Sequence, residues 1–303
     1  MRISIGKAVS SAVRTVLVVG ATMLAFDAAA AQESEGALAD PQGSQVESSI
    51  GIDVTNQYFF RGILQEKEGV IAQPWVDFVF PIWEGKDTAL SFNIGIWNSL
   101  HDGPTGSGGV GMTMHYELDA YAGIGVDFAG NLSGSVTYVV LSSPNSAFAT
   151  VQELDVSISF DDSGLFGGGS SRFLGFQPSV LVVFELDGQS DGGGDEGIYL
   201  ELGIEPSLVL IDDESQPISA SFPVAAGLSL SNYFEGAMGS EEFFGFAQGG
   251  VSLSTPLSFI PARMGSWSLS SGVSILFLGD NLETINGGDN SEVIVSFGLG
   301  IGF

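Results

Sequence analysis

The sequence offers few side chains for nucleophilic or acid–base chemistry. Its two histidines are His101, which lies beside Asp102, and His115, which lies two residues before Glu117. A serine nucleophile needs such a histidine as its general base, held in place by a carboxylate. No local motif marks a serine for either histidine, and the absence of cysteine excludes thiolate chemistry and disulfides. The sequence therefore predicts no catalytic residues, no enzyme activity and no cofactor.

Carboxylates are the reactive groups that the sequence does supply in number. It has 36 Asp and Glu against 8 Lys and Arg, for a formal net charge of −28. Many carboxylates alternate with apolar residues, as in Glu117 with Asp119 and Glu153 with Asp155. Nucleic acid is an unsuitable partner, because phosphate binding needs clustered Lys and Arg. Since unpaired carboxylates are costly to bury, this pattern favours a wet, acidic interior that attracts cations.

The acidic connections between the apolar runs suggest a second kind of carboxylate chemistry. Hard oxygen ligands of the kind that calcium prefers occur in Asp187–Asp191 with Asp195 and Glu196, in Asp212–Glu214, and in Asp280 with Asp289. None of them has EF-hand or nonapeptide-repeat spacing. We expect solvated loops and no metal site, with calcium binding as the alternative.

Strict alternation of side chains indicates the elements that position these groups. Every second residue from Val293 to Phe303 is apolar, and the residues between them are glycine or serine, except for Ile294. A period of two places the two sets on opposite faces of a β-strand. Comparable runs occupy residues 48–60, 70–82, 88–98, 111–128, 131–141, 149–161, 172–187, 196–211, 217–232, 243–257, 266–279 and 292–303.

These runs predict an all-β protein, a closed antiparallel transmembrane β-barrel of about 12 strands, with roughly 10 to 14 strands as the range. Mean hydropathy is +0.31 despite the charge, as expected when one face of each strand meets lipid. A soluble β-sandwich also alternates. The length of the runs and the small residues on the second face favour the barrel.

The barrel reading assigns the alternating polar residues to the interior. The predicted pore-lining residues are Asp53, Arg61, Asp77, His115, Glu117, Asp119, Asp127, Glu153, Asp155, Glu185, Glu201, Glu205 and Glu292. Four of the carboxylates also suit strand ends in bulk solvent, namely Asp53, Asp127, Glu185 and Glu292. Because Arg61 is nearly the only base in the set, we expect it to pair with these carboxylates on the inner wall, near the outer end of the first strand.

The amino-terminal residues resemble a secretory signal. Residues 1–31 contain basic residues, an apolar stretch too short to span a membrane, and the small residues Ala28–Ala31. We expect cleavage after Ala31. Residues 32–47 are polar and acidic, without periodicity, and are predicted to form a flexible tail before a barrel at residues 48–303.

The final strand resembles the signal that outer-membrane assembly machinery reads. Gly298, Ile301 and the terminal Phe303 match the glycine and the paired apolar positions of that signal, although Phe297 stands where a polar residue is usual. The expected partners are therefore outer-membrane lipid, the assembly machinery and small solutes.

A segment near the start of the barrel carries a family resemblance. Asn56–Gln65 reads NQYFFRGILQ, which resembles the SDYVFRGISQ motif of the TorF-type porin family, also described as conserved bacterial proteins of unknown function. Residues 95–98 (GIWN) and 117–123 (ELDAYAG) add to the likeness, which covers about residues 51–125. The resemblance implies an outer-membrane barrel without an established reaction or substrate. The acidic interior of the predicted barrel, rather than the resemblance, predicts a porin-like channel for passive diffusion of small cationic or neutral solutes. The alternative is a structural or binding barrel with a plugged lumen that acts through its acidic external loops.

Overall fold

The computed structural model describes residues 46–107, 113–129, 131–166, 172–213, 216–236 and 239–303. The predicted signal peptide and nearly all of the predicted acidic tail lie outside these residues. In the described ranges no helix is long and apolar enough to cross a membrane. The strands are β1 (Glu47–Thr55), β2 (Tyr58–Phe60), β3 (Ile63–Glu66), β4 (Ile71–Glu84), β5 (Thr88–His101), β6 (His115–Phe128), β7 (Leu132–Ser142), β8 (Val151–Phe160), β9 (Ser179–Asp187), β10 (Ile198–Ile204), β11 (Ser207–Ile211), β12 (Ile218–Ser221), β13 (Val224–Ser231), β14 (Phe244–Pro256), β15 (Ser266–Leu278) and β16 (Ser291–Gly302).

The wall is a closed antiparallel barrel. Strands β1, β4, β5, β6, β7, β8, β9, β10, β13, β14, β15 and β16 follow one another around it, and β16 pairs with β1 to close it. β11 and β12 continue β10 and β13 beyond breaks at Pro206 and Pro223, where the backbone lacks an N–H for the ladder. The twelve-stranded barrel predicted from the alternation is thus confirmed.

The two faces of the wall differ as the alternation requires. On β1 the side chains of Ile50, Ile52 and Val54 are 40–46% exposed on the outer face. On β6 the residues Glu117, Asp119 and Tyr121 are buried on the inner face. An apolar outside and a polar inside are the arrangement of a barrel that crosses lipid.

The first predicted strand is wrong in its second half. Residues 48–60 were expected to form one strand, but β1 ends at Thr55 and the chain turns inward. Asn56 and Gln57 cause the break, since their side-chain amides donate to the carbonyl of Val293 instead of continuing the strand. β2 and β3 then form a two-stranded sheet of their own, the interior hairpin, which has no ladder pairing with the wall.

A tight turn makes this hairpin possible. Its central residues are Arg61 and Gly62, both with positive φ, +46° and +83°. Two central residues with positive φ characterise the type I′ turn, which matches the twist of a two-residue hairpin. Hereafter the end of the barrel that the hairpin enters is the hairpin end, and the end where β1 begins and β16 ends is the terminal end.

Two short helices complete the hairpin end, α1 (Pro104–Ser107) and α2 (Asp280–Ile285). α2 packs against the interior through the fully buried Leu282. Single 3₁₀ turns at Ser163–Phe166 and Ala262–Met264 lie in connections at the terminal end.

Removing Phe303 is expected to impair assembly more than it destabilises the finished barrel. Its side chain is 68% exposed, so it adds little packing within the protein. Lipid-facing burial of one such ring contributes about 1.5–3 kcal/mol. Phe297→Ala, on the outer face of β16 and 60% exposed, is the matched control. Membrane yield in cells and the unfolding midpoint in detergent are the measurements. If both variants insert at normal yield, the assembly-signal reading of Gly298, Ile301 and Phe303 is wrong.

Candidate functional site

The interior hairpin packs between two apolar clusters inside the barrel. The three residues of β2 alternate between them: Tyr58 and Phe60 lie against one cluster, and Phe59 lies against the other. The first cluster contains Ile71, Trp97, Tyr116, Tyr121, Val139, Leu141 and Val151. The second contains Val183, Tyr199, Tyr233, Phe234, Phe246, Leu276, Leu278 and Leu282. The hairpin is therefore held by side chains from most of the circumference.

Arg61, at the hairpin turn, makes the central polar contact. It is 1% exposed, and its Nη1 and Nη2 donate to the two carboxylate oxygens of Glu153 at 2.7 and 2.8 Å. Nη1 also donates to the hydroxyl of Tyr233 at 2.9 Å. The guanidinium carbon lies 4.6 Å from the ring centre of Phe60 and 4.9 Å from that of Tyr199. Two-point pairing of this kind is among the stronger hydrogen-bonded contacts in proteins.

A chain of hydrogen bonds leads from the Arg61–Glu153 pair, through Tyr233, to the loops of the hairpin end. The Tyr233 hydroxyl lies 2.8 Å from Ser190 Oγ, which itself donates to Glu185 Oε1 at 2.6 Å. The other Glu185 oxygen accepts from the backbone N–H of Gly197. The loops that carry Ser190 and Tyr233 are also joined to each other, because Asp191 accepts from the N–H of Glu235 at 3.1 Å. Burial raises the pKa of Asp191, which lies in one of these loops.

A second polar chain fixes the base of the hairpin. Ser99 Oγ lies 2.7 Å from His101 Nε2, and His101 Nδ1 lies 2.7 Å from Thr105 Oγ1. Thr105 donates its hydroxyl and its backbone N–H to Glu66 Oε2, both at 2.8 Å. The chain resembles a nucleophile–histidine–acid relay, but Thr105 separates His101 from Glu66 and Ser99 is fully buried. It connects the hairpin to the wall.

Sequence reasoning missed this second chain, although a signal for it was present. Ser99 and His101 are two residues apart on one strand, so their side chains share a face. Glu66 lies more than thirty residues away on the hairpin, and its approach to Thr105 depends on the inward turn at Asn56. That turn was not predicted.

Some interior carboxylates lack partners among the described residues. Asp119 is 1% exposed, and neither of its carboxylate oxygens has a hydrogen-bond partner within the described ranges. One oxygen of Asp155 and one of Asp77 are in the same state. Arg61 is the described cation buried beside this acidic wall, and its fork is occupied by Glu153. Uncompensated carboxylates therefore remain in the interior, where a cation or water would stabilise them.

The remaining predicted pore-lining carboxylates have local surroundings of their own. Five of them accept a hydrogen bond from a nearby side chain: Asp53 from Trp75 Nε1, Glu117 from the Tyr58 hydroxyl, Asp127 from Ser133, Asp77 from Tyr121, and Glu201 from Tyr199. Glu205 lies next to Ser221. Glu292 is half-buried and lies opposite Leu276. Asp127 also lines a cavity of about 70 Å³ at the terminal end, together with Glu47 and Glu84. The acidic residues thus extend from the hairpin end to the terminal end.

Two predicted placements are wrong. His115 was assigned to the pore, but β5 and β6 shift register there: Ser99 pairs with Glu117 and Leu100 with His115. The extra residue, Tyr116, turns inward and stacks on His101. His115 instead bonds Asn98 at 2.9 Å, on the outer face. A bulge of this kind reverses the alternation.

The other wrong placement concerns Arg61. It was expected on the inner wall, at the outer end of the first strand, whereas it lies at the turn of the interior hairpin. The difference follows from the break at Asn56, which ends β1 and directs the chain into the barrel. Its pairing with an interior carboxylate is retained, with Glu153 of β8 as the partner.

The described parts of the acidic loops do not form a recognisable cation cage, and Glu214 lies outside the described residues. Within the described residues, no group of three or more His, Asp or Glu side chains is arranged to hold a metal ion. Glu185 and Asp191 use their oxygens on loop backbone and hydroxyl groups.

Comparison with known proteins identifies the fold. No known family model and no curated protein sequence matches the chain. An outer membrane channel from Pseudomonas putida F1 superposes with a TM-score of 0.52 over 88% of this chain and 99% of that one, at 8% identity. LpxR from Salmonella typhimurium gives a TM-score of 0.45 at 11% identity, over 84% of this chain and 99% of that one.

The chain has the fold of an outer-membrane β-barrel. At 8% identity the likeness to the Pseudomonas channel shows this fold alone. Any activity has to be argued from the interior of this barrel.

Proposed function

We propose that this protein is an outer-membrane channel for passive diffusion of small cationic or neutral solutes, with the interior hairpin as its movable closure. The observation that carries the proposal is the acidic interior wall, in which both oxygens of Asp119 lack a hydrogen-bond partner among the described residues. Carboxylates in a narrow, low-dielectric passage concentrate cations and exclude anions. Membership of the TorF-type family, export by a cleaved signal peptide and insertion by the assembly machinery form part of the same proposal.

The way the hairpin is held supports its role as a closure. Among the described residues its two strands form ladder hydrogen bonds with each other and none with the wall, so it can leave without breaking the barrel ladder. The hydrogen bonds that hold it use side chains: Arg61 to Glu153, Tyr58 to Glu117, Glu66 to Thr105, and the Asn286 side chain to the backbone of Gly62 and Leu64. A twelve-stranded barrel lies between the filled eight-stranded kind and the open porins of sixteen or more strands. A single inserted hairpin is therefore enough to decide whether the passage is open.

Neutralising the unpartnered carboxylates is expected to reduce cation selectivity. Wild-type protein in planar bilayers, in a salt gradient, should give a reversal potential of cation-selective sign. Asp119→Asn with Asp155→Asn should move it towards zero, because the fixed charge of the passage falls. The difference should shrink at high salt, as the Debye length falls from about 10 Å at 0.1 M to about 3 Å at 1 M.

Asp127→Asn is the matched control, since Asp127 lies at the terminal mouth and bonds Ser133. Its effect should be small, because charge at a mouth is screened by bulk ions. An anion-selective wild type, or unchanged selectivity in the double variant, contradicts the proposal.

A binding barrel with a permanently filled interior is the second candidate. The two apolar clusters that surround Tyr58, Phe59 and Phe60 favour it. The absence of current from the wild type and also from variants that release the hairpin would select this function over the channel.

A further inference from the structure

We propose that the buried place of the Arg61 guanidinium is a binding site for guanidinium-bearing solutes, which Arg61 itself fills while the hairpin is seated. The inference rests on the proposed channel function and names its solute class. In it, Arg61 acts as an internal competitor: a solute that takes its place releases the hairpin.

The site belongs to the wall and its loops more than to the hairpin. The paired carboxylate is Glu153 of β8, and the flat face under the guanidinium is Tyr199 of β10, 4.9 Å away. The hydroxyls of Tyr233 and Ser190 lie 2.9 and 3.5 Å from Nη1 and belong to two loops of the hairpin end. Only Phe60 comes from the hairpin itself. Withdrawal of the hairpin therefore leaves a carboxylate, an aromatic face and two hydroxyls in place.

The tyrosines and the serine of the site are positioned by contacts that do not involve Arg61. The hydroxyl of Tyr199 donates to Glu201 at 2.5 Å, and its ring centre lies 5.1 Å from that of Tyr233. The backbone N–H of Tyr233 donates to Ser229 Oγ, and the backbone N–H of Ser190 donates to Glu185. A site that keeps its shape when empty loses less free energy on ordering when a ligand binds.

The geometry selects a guanidinium over an ammonium. A planar fork bonds both carboxylate oxygens of Glu153 and stacks on a ring at the same time, whereas an ammonium is a compact and strongly hydrated point charge. The internal occupant also leaves the site incompletely used, because the Nε–H of Arg61 has no acceptor among the described residues. A free solute is not part of the hairpin turn, so it can rotate in the site and turn its third N–H group towards an acceptor.

A second carboxylate lies on the same face of the same strand. Asp155 is two residues from Glu153, and one of its oxygens has no hydrogen-bond partner in the part of the chain that the structure describes. A solute with a guanidinium at one end and an ammonium at the other can address both residues. Agmatine is such a molecule, and 1,5-diaminopentane is a control of the same charge without the guanidinium.

The test measures binding through the exposure of the hairpin. Chymotrypsin cleavage at Tyr58–Phe60 of the full-length protein in detergent, located by mass spectrometry, reports hairpin release, because these residues are buried when it is seated. In Arg61→Ala, methylguanidinium should refill the vacant site and protect the hairpin, at a concentration about tenfold lower than methylammonium needs. The double variant Arg61→Ala/Glu153→Gln should not respond to either ion.

The wild type should respond in the opposite direction. Agmatine should increase cleavage at Tyr58–Phe60, because it competes with Arg61 for Glu153, and 1,5-diaminopentane should not. Equal protection of Arg61→Ala by both small cations, or protection that survives Glu153→Gln, overturns the site. Unchanged cleavage of the wild type in agmatine overturns the competition. Neither readout uses current, so a failure of the channel proposal in bilayers is distinguishable from a failure here.

Discussion

Arg61→Met is expected to release the interior hairpin and leave the barrel folded. The substitution keeps an apolar stem but removes the cation opposite Glu153, which is fully buried. Removing one partner of a buried ion pair costs about 3–5 kcal/mol of stability, because the other charge stays uncompensated. The ladder bonds of the wall do not involve the hairpin, so this cost falls on the seating of the hairpin.

Chymotrypsin cleavage at Tyr58–Phe60 and open-channel current should therefore both rise in Arg61→Met, while the heat-dependent gel shift of a closed barrel should persist. The double variant Arg61→Met/Glu153→Leu is the control. It removes the uncompensated charge of Glu153 and should recover much of the protection against chymotrypsin. An apolar pair of similar volume often replaces a buried ion pair with little loss of stability. A barrel that unfolds in Arg61→Met would show that Arg61 stabilises the wall itself. A hairpin as well protected as in the wild type would show that the apolar clusters hold it alone.

The wall was predictable from the sequence because its two faces meet different surroundings. Lipid on one side and a polar interior on the other impose a period of two on every strand, as between Val293 and Phe303. The breaks at Pro206 and Pro223 fall inside two predicted strands, because the alternation resumes after each of them. The number of strands follows from the number of runs.

The hairpin was not predictable by the same reasoning. Tyr58-Phe59-Phe60 continues an apolar run, and an inserted strand with apolar clusters on both sides is locally similar to a strand of the wall. The signals that distinguish it are the polar pair Asn56-Gln57 and the turn residues Arg61-Gly62. Both become decisive only when the sheet pairing is known.

The candidate site was predictable in its composition but not in its partners. A count of charges indicates that Arg61 must meet a carboxylate, yet Glu153 is distant in sequence and is chosen by the position of the turn. No local sequence feature marks the other members of the site, which are Tyr199, Tyr233 and Ser190. Each is an ordinary strand or loop residue in the sequence, and only the closed barrel brings them together. His115 was misplaced because the bulge at Tyr116 follows from the pairing of β5 with β6 and leaves no trace in the alternation of β6.

Gly62→Val is expected to unseat the hairpin although Arg61 and Glu153 are unchanged. Gly62 has φ +83°, and a Cβ placed there would lie 2.6 Å from Leu282 Cδ1 and 3.1 Å from Phe246 Cδ1. Its carbonyl also accepts a hydrogen bond from the side-chain amide of Asn286 at 2.7 Å, so the turn cannot shift without losing that bond. Gly239→Val is the matched control, since Gly239 has φ +73° and no atom within 4 Å of an added Cβ.

Both valine variants carry the backbone cost of a left-handed conformation, about 1–2 kcal/mol, and only Gly62→Val adds the steric overlap. The expected result is strong chymotrypsin cleavage at Tyr58–Phe60 for Gly62→Val and wild-type protection for Gly239→Val. Adding Leu282→Ala to Gly62→Val opens space for the new side chain and should restore part of the protection. Leu282→Ala alone creates a cavity and should not protect beyond the wild type. Equal cleavage of the two valine variants would attribute the effect to the backbone. Normal protection of Gly62→Val would mean that the turn is not tightly seated against α2, and that the position of Arg61 is set by its own contacts with Glu153 and the aromatic rings.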